Sequence, residues 1–366
     1  MQVLGCACRM KYSIIRNCEA ISMSDGVNGR DLIRKAMEKE ASDIHLTVGQ
    51  RPHMRCDGKL QAMDNSPLTE PFLSDFCSSI LNDSQRERLE RERDIDLSWT
   101  FEGRRFRVNA YYQQGWSALA LRLLPERIPG LAEIGAWRAW QKMKEADQGL
   151  ILVTGRTGSG KTTTLAAFIE ELNRERSYHI VTLEDPLEYV HIPRNCFISQ
   201  RELGKDFLSF PQGLRSALRE MPDVILVGEL RDAETMRTAL MAAETGILVL
   251  GTLHTKSAAE TAMRVEGMFP AGQRDVVREQ FASVFTGIFS QQLLSAKDGG
   301  RVCAVEVLLA SAAARNIIRQ GKYPQLDSVM MGGRECGMQT RQMAWKSLYQ
   351  GGRITKELFE RLEGRG

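Results

Sequence analysis

A glycine loop set between an apolar strand and a helix, residues 149–164, constrains this chain more than any other stretch. Leu150-Ile151-Leu152-Val153 is a continuous apolar run, which suits a strand covered on both faces of a parallel sheet. Gly155-Arg156-Thr157-Gly158-Ser159-Gly160-Lys161-Thr162 follows and fits G-x-x-x-x-G-K-[ST] at every fixed position. From Thr163 onward, Leu165, Phe168, Ile169 and Leu172 have the spacing of one helical face. The glycines let backbone N–H groups curl round a di- or triphosphate, and the helix N-terminus adds a favourable dipole. Lys161 supplies a point charge and the Thr162 hydroxyl can ligate Mg²⁺. Average residue frequencies give roughly one or two chance matches per hundred proteins of this length, and the flanking strand and helix thin these further. The stretch predicts a nucleoside triphosphate site.

The 366 residues leave room for about two domains and a sizeable core. A net charge of +3 gives no argument for a nucleic-acid or membrane surface. The eight cysteines form no C-x-x-C pair and no zinc-type spacing, so they read as free thiols of a reducing cytosol. No apolar run approaches the ~20 residues of a membrane span. Val3-Leu4-Gly5-Cys6 has the look of a lipoprotein cleavage box, but no basic or long apolar region precedes it, and lipidation is not expected. Residues 1–25 read as a disordered or misassigned extension, with Met23 an alternative start.

Residues 26–124 predict a small α+β domain. A helix over 28–40 is followed by an alternating strand over 41–48 and a hairpin turning at Asp57-Gly58. Residues 69–92 look helical and end in a charge run, Gln85–Arg93, that reads as a solvated face. Alternating segments at 94–101, 105–112 and 118–124 complete a largely antiparallel sheet. Residues 125–130, with two prolines and a glycine, are the linker candidate. From 131 to 366 strands and helices alternate, which predicts a doubly wound sheet with ligands at the strands' C-terminal ends. Strands are expected at 149–154, 179–183, 196–200, 224–227, 247–251 and 302–308. Helices are expected at 160–174, 206–220, 232–244, 257–267 and 272–291, with a mostly helical tail.

Phosphate chemistry needs an acidic Mg²⁺ partner and a group that activates water. The apolar strand Val224-Ile225-Leu226-Val227 delivers Glu229, the usual place of a metal-holding carboxylate. Ile180-Val181-Thr182-Leu183 delivers Glu184 and Asp185 to the same edge, where a carboxylate can accept a proton from water. A third strand ends at His254, a residue type that is structural more often than catalytic.

These segments carry a family resemblance. Thr182-Leu183-Glu184-Asp185-Pro186-Leu187-Glu188 resembles the Asp box of the secretion ATPase superfamily, and Gly251-Thr252-Leu253-His254-Thr255 its His box. The chain is similar above all to the type IV pilus retraction ATPases of twitching motility, the PilT type. Ala41-Ser42-Asp43-Ile44-His45-Leu46, Arg105-Phe106-Arg107-Val108-Asn109-Ala110, Leu214-Arg215-Ser216-Ala217-Leu218-Arg219-Glu220 and Gly337-Met338-Gln339-Thr340 carry the likeness. The resemblance implies an α/β fold, a RecA-like P-loop ATPase domain with a smaller PAS-like α+β N-terminal domain, assembled as a homohexamer. It implies ATP and Mg²⁺ as cofactors, with the nucleotide on Gly155, Arg156, Thr157, Gly158, Ser159, Gly160, Lys161, Thr162 and Thr163. Mg²⁺ would fall to Thr162 and Glu229, the general base to Glu184 and a γ-phosphate sensor to His254. Arg107 and Arg122 would reach ATP from the N-terminal domain, where a guanidinium fork can bind phosphate oxygens bidentately.

Arg156 stands where the family usually has proline, and Met221 where it has an acidic residue. Ala312-Ala313-Ala314-Arg315-Asn316-Ile317-Ile318-Arg319 only approximates the retraction signature. The implied role is a cytoplasmic motor, peripheral to the inner membrane, that retracts a pilus through a platform protein. A pilus-assembly or type II/IV secretion ATPase is the alternative. A DNA translocase is opposed by the near-neutral charge and the lack of a DNA-binding module, so no nucleic-acid partner is expected.

Overall fold

The computed structural model describes residues 28–56, 58–124 and 127–364. The expected extension over 1–25, with Met23, lies outside them, as do Asp57 and the first two linker residues. Contacts divide the chain between Leu124 and Pro125 into two units.

The first unit is built on a six-stranded sheet in the order β3-β2-β1-β6-β5-β4. Its strands are β1 (Asp43–Thr47), β2 (His53–Cys56), β3 (Lys59–Ala62), β4 (Asp94–Phe101), β5 (Arg104–Gln113) and β6 (Trp116–Leu123), and every neighbouring pair is antiparallel. Alternation in the sequence becomes alternation in burial: on β5 Phe106, Val108 and Ala110 face the core, while Arg107 and Asn109 do not. The Cys56–Lys59 pairing closes the expected two-residue hairpin.

One expected helix is two. Glu70–Ile80 ends at Leu81, and Asp83–Glu92 begins behind Asn82, which accepts the Gln85 N–H at 2.9 Å while the Gln85 side chain accepts the Asn82 N–H at 3.0 Å. This capping box satisfies two helix-end donors and favours a new start over a continued helix.

The second unit holds a seven-stranded sheet in the order β13-β12-β7-β11-β10-β8-β9. Its strands are β7 (Gly149–Thr154), β8 (His179–Glu184), β9 (Phe197–Glu202), β10 (Val224–Val227), β11 (Leu248–Leu253), β12 (Phe285–Ser295) and β13 (Arg301–Leu309). All neighbours are parallel except β12 and β13. Every residue of β7, β10 and β11 is buried, as expected for parallel strands covered on both faces.

The structure corrects the expected helix over 272–291. It is helical only over Arg274–Val284 and then becomes β12, the strand beside β7. Val277, Phe281 and Val284 lie on a helical period that runs on into Phe285, Ile288 and Phe289. A strand buried on both faces has no alternation to interrupt that period. The 206–220 helix likewise shortens to Phe210–Ala217, followed by a 3₁₀ turn.

Candidate active site

The loop after β7 enters the helix Lys161–Glu175 through Gly158 and Gly160, both at positive φ (76° and 89°). Gly160 stands at the N-cap position in the left-handed conformation and offers no side-chain acceptor. Asp232 and Ser257, by contrast, cap their helices with side-chain oxygens. The first-turn N–H groups of the Lys161 helix are therefore left for an anion, with the dipole aligned to favour it.

Gly155 shows how close the loop lies to its support. A Cβ there would fall 2.4 Å from Ser159 Oγ and 2.5 Å from the Gln291 carbonyl on β12. Ser159 Oγ is buried without a hydrogen-bond partner among the described residues. Lys161 Nζ donates to the carbonyls of Gly155 (3.1 Å) and Arg156 (3.3 Å), folding its side chain back along the loop. Burial pulls the Lys161 ammonium below its ordinary range, and the charges of Glu229 and Glu188 partly offset this. A desolvated cation above unpartnered donors fits a phosphate group. Arg156 and Thr157 are exposed, whereas Thr162 and Thr163 are half-buried at the start of the helix.

The sheet brings the remaining groups to one edge. β11 lies between β7 and β10, and β8 lies beyond β10, so His254, Glu229 and Glu184 follow the loop strand by strand. Glu229 accepts from Arg231 at 2.8 Å and lies 3.3 Å from His254 Nε2. Burial pushes its carboxyl up, but Arg231 and His254 outweigh burial and hold it below the ordinary carboxylate range.

Glu184 is the opposite case. It is 6% exposed, accepts from Thr182 Oγ1 at 2.7 Å and from Gln200 Nε2 at 3.4 Å, and has no cation partner among the described residues. Burial pushes its carboxyl up to about 7, the donors acting against that rise and the Glu188 charge adding to it. Asp185, its chain neighbour, is exposed. Two carboxylates on one sheet edge thus have environments that push their pKa values apart, the pattern of a charge-holding group beside a proton acceptor.

Arg107 and Arg122 are a cross-strand pair on β5 and β6 of the first unit. Each is engaged within that sheet, Arg107 with Asp96 at 3.1 Å and Arg122 with Asp43 at 2.9 Å. Sequence reasoning missed Thr182, Gln200, Arg231 and Gln291. Thr182 lies in the Asp box, Arg231 lies just past Glu229 and Gln200 lies on β9, but single polar residues carry no signal of their own. Gln291 sits on the strand that the helical period concealed.

Residues 27–359 match the family of type II/IV secretion system proteins. The chain is 42% identical over 328 residues to the type IV pilus retraction ATPase PilT of Pseudomonas aeruginosa, covering 89% of this chain and 95% of the relative. It is 43% identical over 312 residues to a twitching motility protein of Neisseria gonorrhoeae, covering 85% of this chain and 83% of the relative. A crystal structure of the pilus retraction motor PilT with bound ADP superposes with a TM-score of 0.84 at 43% identity, covering 91% of this chain and 96% of that one. With a phosphate loop, two carboxylates of contrasting environment and a histidine on one edge of a RecA-like sheet, the chain belongs to the type II/IV secretion system protein family and, within it, to the PilT-type ATPases.

Proposed function

We propose that this chain is the ATP-driven motor of type IV pilus retraction, working as a homohexamer at the cytoplasmic face of the inner membrane against a platform protein. The observation that carries the reading is the single sheet edge where the Lys161 loop, His254, Glu229 and Glu184 meet, in a chain similar to PilT over nearly its whole length. No helix among the described residues is long and apolar enough to cross a membrane, which suits a peripheral attachment.

Mg²⁺·ATP supplies the phosphoanhydride bond that water cleaves, with the cation neutralising charge on the phosphate oxygens. The residues of 155–163 and the Lys161 ammonium hold the phosphates. Thr162 and Glu229 hold the cation, Glu229 suiting this because its neighbours keep it ionised. Glu184 takes the proton of the attacking water, and a buried carboxyl near pH 7 is matched to that task. His254 reports the occupancy of the γ-phosphate position to Glu229 through their 3.3 Å contact. Arg107 and Arg122 supply further positive charge to the phosphates.

A clean deletion with counting of surface pili tests the direction of work. Pili accumulating without twitching supports retraction. Absence of pili would assign the chain to assembly instead.

A further inference from the structure

Gln200, at the middle of β9, lies opposite Thr182 in the parallel register of β8 and β9. Its amide oxygen accepts the His191 backbone N–H at 2.8 Å, and its Nε2 donates to the Tyr189 carbonyl at 2.9 Å. A main-chain donor on one side and a main-chain acceptor on the other fix which end of the amide is nitrogen. The second Nε2 hydrogen is left to point at Glu184 Oε1, 3.4 Å away, the oxygen that Thr182 Oγ1 also reaches at 2.7 Å. We propose that Gln200 is a positioning residue for ATP hydrolysis: clamped by the 189–191 main chain, it joins Thr182 in holding the Glu184 carboxylate where it accepts the proton of water.

The proposal rests on Glu184 being the proton acceptor. Two features make the clamp more than packing. Donors to a carboxylate favour its ionised form, and here they oppose the burial that drives Glu184 up to about 7, so losing either raises it further. The clamp also reaches the nucleotide loop, because the Tyr189 hydroxyl lies 3.0 Å from Thr163 Oγ1. Among the described residues, Glu188 is the charge that acts on the Glu184 carboxyl, Asp185 follows it in the chain, Arg201 and Glu202 lie on the neighbouring β9, and Glu229 and Arg231 follow the neighbouring β10. Substituting Gln200 or Thr182 changes none of these charges.

The test compares full-length Gln200→Leu, Thr182→Val and Glu184→Gln with wild type in three measurements. These are nucleotide affinity, the pH profile of kcat, and a difference-infrared titration of the Glu184 carboxyl in nucleotide-free protein, with Glu184→Gln identifying the signal. Thr182→Val should move the titration midpoint and the acidic limb of kcat upward by about one pH unit, and Gln200→Leu, the longer contact, by about half a unit. Nucleotide affinity should be unchanged, and kcat at pH 7 should fall about fivefold in Thr182→Val and about twofold in Gln200→Leu, following the ionised fraction of the base. If Gln200→Leu does not fold, Thr182→Val, nearly isosteric and clear of the 189–191 segment, decides whether donors to Oε1 set the base. Activity lost with the midpoint unmoved means packing alone and overturns the proposal, as does an unchanged kcat. Wild-type turnover by Glu184→Gln removes the base reading itself. An inactive Glu184→Gln beside a normal Gln200→Leu removes only the positioning role.

Discussion

His254 Nε2 stands 3.3 Å from Glu229 Oε1, a contact made across the ends of the parallel neighbours β11 and β10. With Arg231 on the other oxygen, Glu229 is held between two positive or potentially positive groups and stays ionised. His254→Ala removes one of them without touching the phosphate loop. Turnover should fall roughly ten- to a hundredfold with ATP affinity little changed, read by steady-state hydrolysis beside equilibrium binding.

Lys161→Ala should abolish ATP turnover, because the phosphates lose a charge partner that is already partly desolvated. A purified variant that hydrolyses at a near-normal rate would end the phosphate-loop assignment.

Glu184→Gln keeps the shape of the side chain and loses the proton acceptor, so binding should persist while the rate drops by ~10²–10⁴. In the wild type the group works ionised, and turnover should climb as pH rises through about 7. Its folded-state pKa is raised, so between the unfolded value and about 7 the native state binds the extra proton, and stability falls as pH rises across that window. Glu184→Gln should therefore raise the melting temperature at pH 8 and change it little near pH 4. If instead Glu229→Gln spares metal binding and loses only catalysis, the two carboxylates have been assigned in reverse.

Arg122→Ala should cut turnover by as much as ~10³-fold while leaving the fold and the oligomeric state unchanged. Its link to Asp43 is a half-exposed ion pair of small structural worth. Size-exclusion chromatography with light scattering checks assembly alongside the rate, and an unaffected rate removes the arginine from the catalytic site.

Gly155→Ala should disrupt the phosphate loop even though alanine is small. Its Cβ would meet Ser159 Oγ and the Gln291 carbonyl inside contact distance, at a φ of 148° that side chains avoid. Such strain costs on the order of 1–3 kcal/mol. Thermal melting with and without nucleotide measures it, and an unaltered melt with normal binding would show that β12 yields.

The sequence by itself determined the local structure around the candidate site residues, because each segment announces itself locally. An apolar run before G-x-x-x-x-G-K-T permits little but a strand, a phosphate loop and a helix, and Val224–Val227 carries Glu229 to a strand end on the same logic. Alternation likewise marked β4, β5 and β6 to within two residues at either end. Only the tertiary structure decided how the pieces stand side by side. In the chain the Glu184 strand follows the loop directly, yet in the sheet β11 and β10 come between, which sets His254 against Glu229. It also separated two carboxylates that look alike in sequence. Glu184 is buried among neutral donors and driven upward, while Glu229 is held down by Arg231 and His254. β12 stayed hidden for a related reason, since a strand packed on both faces shows no alternation and only its neighbours select its conformation. Strand order arises from contacts between residues far apart in the chain, and local spacing carries no trace of it.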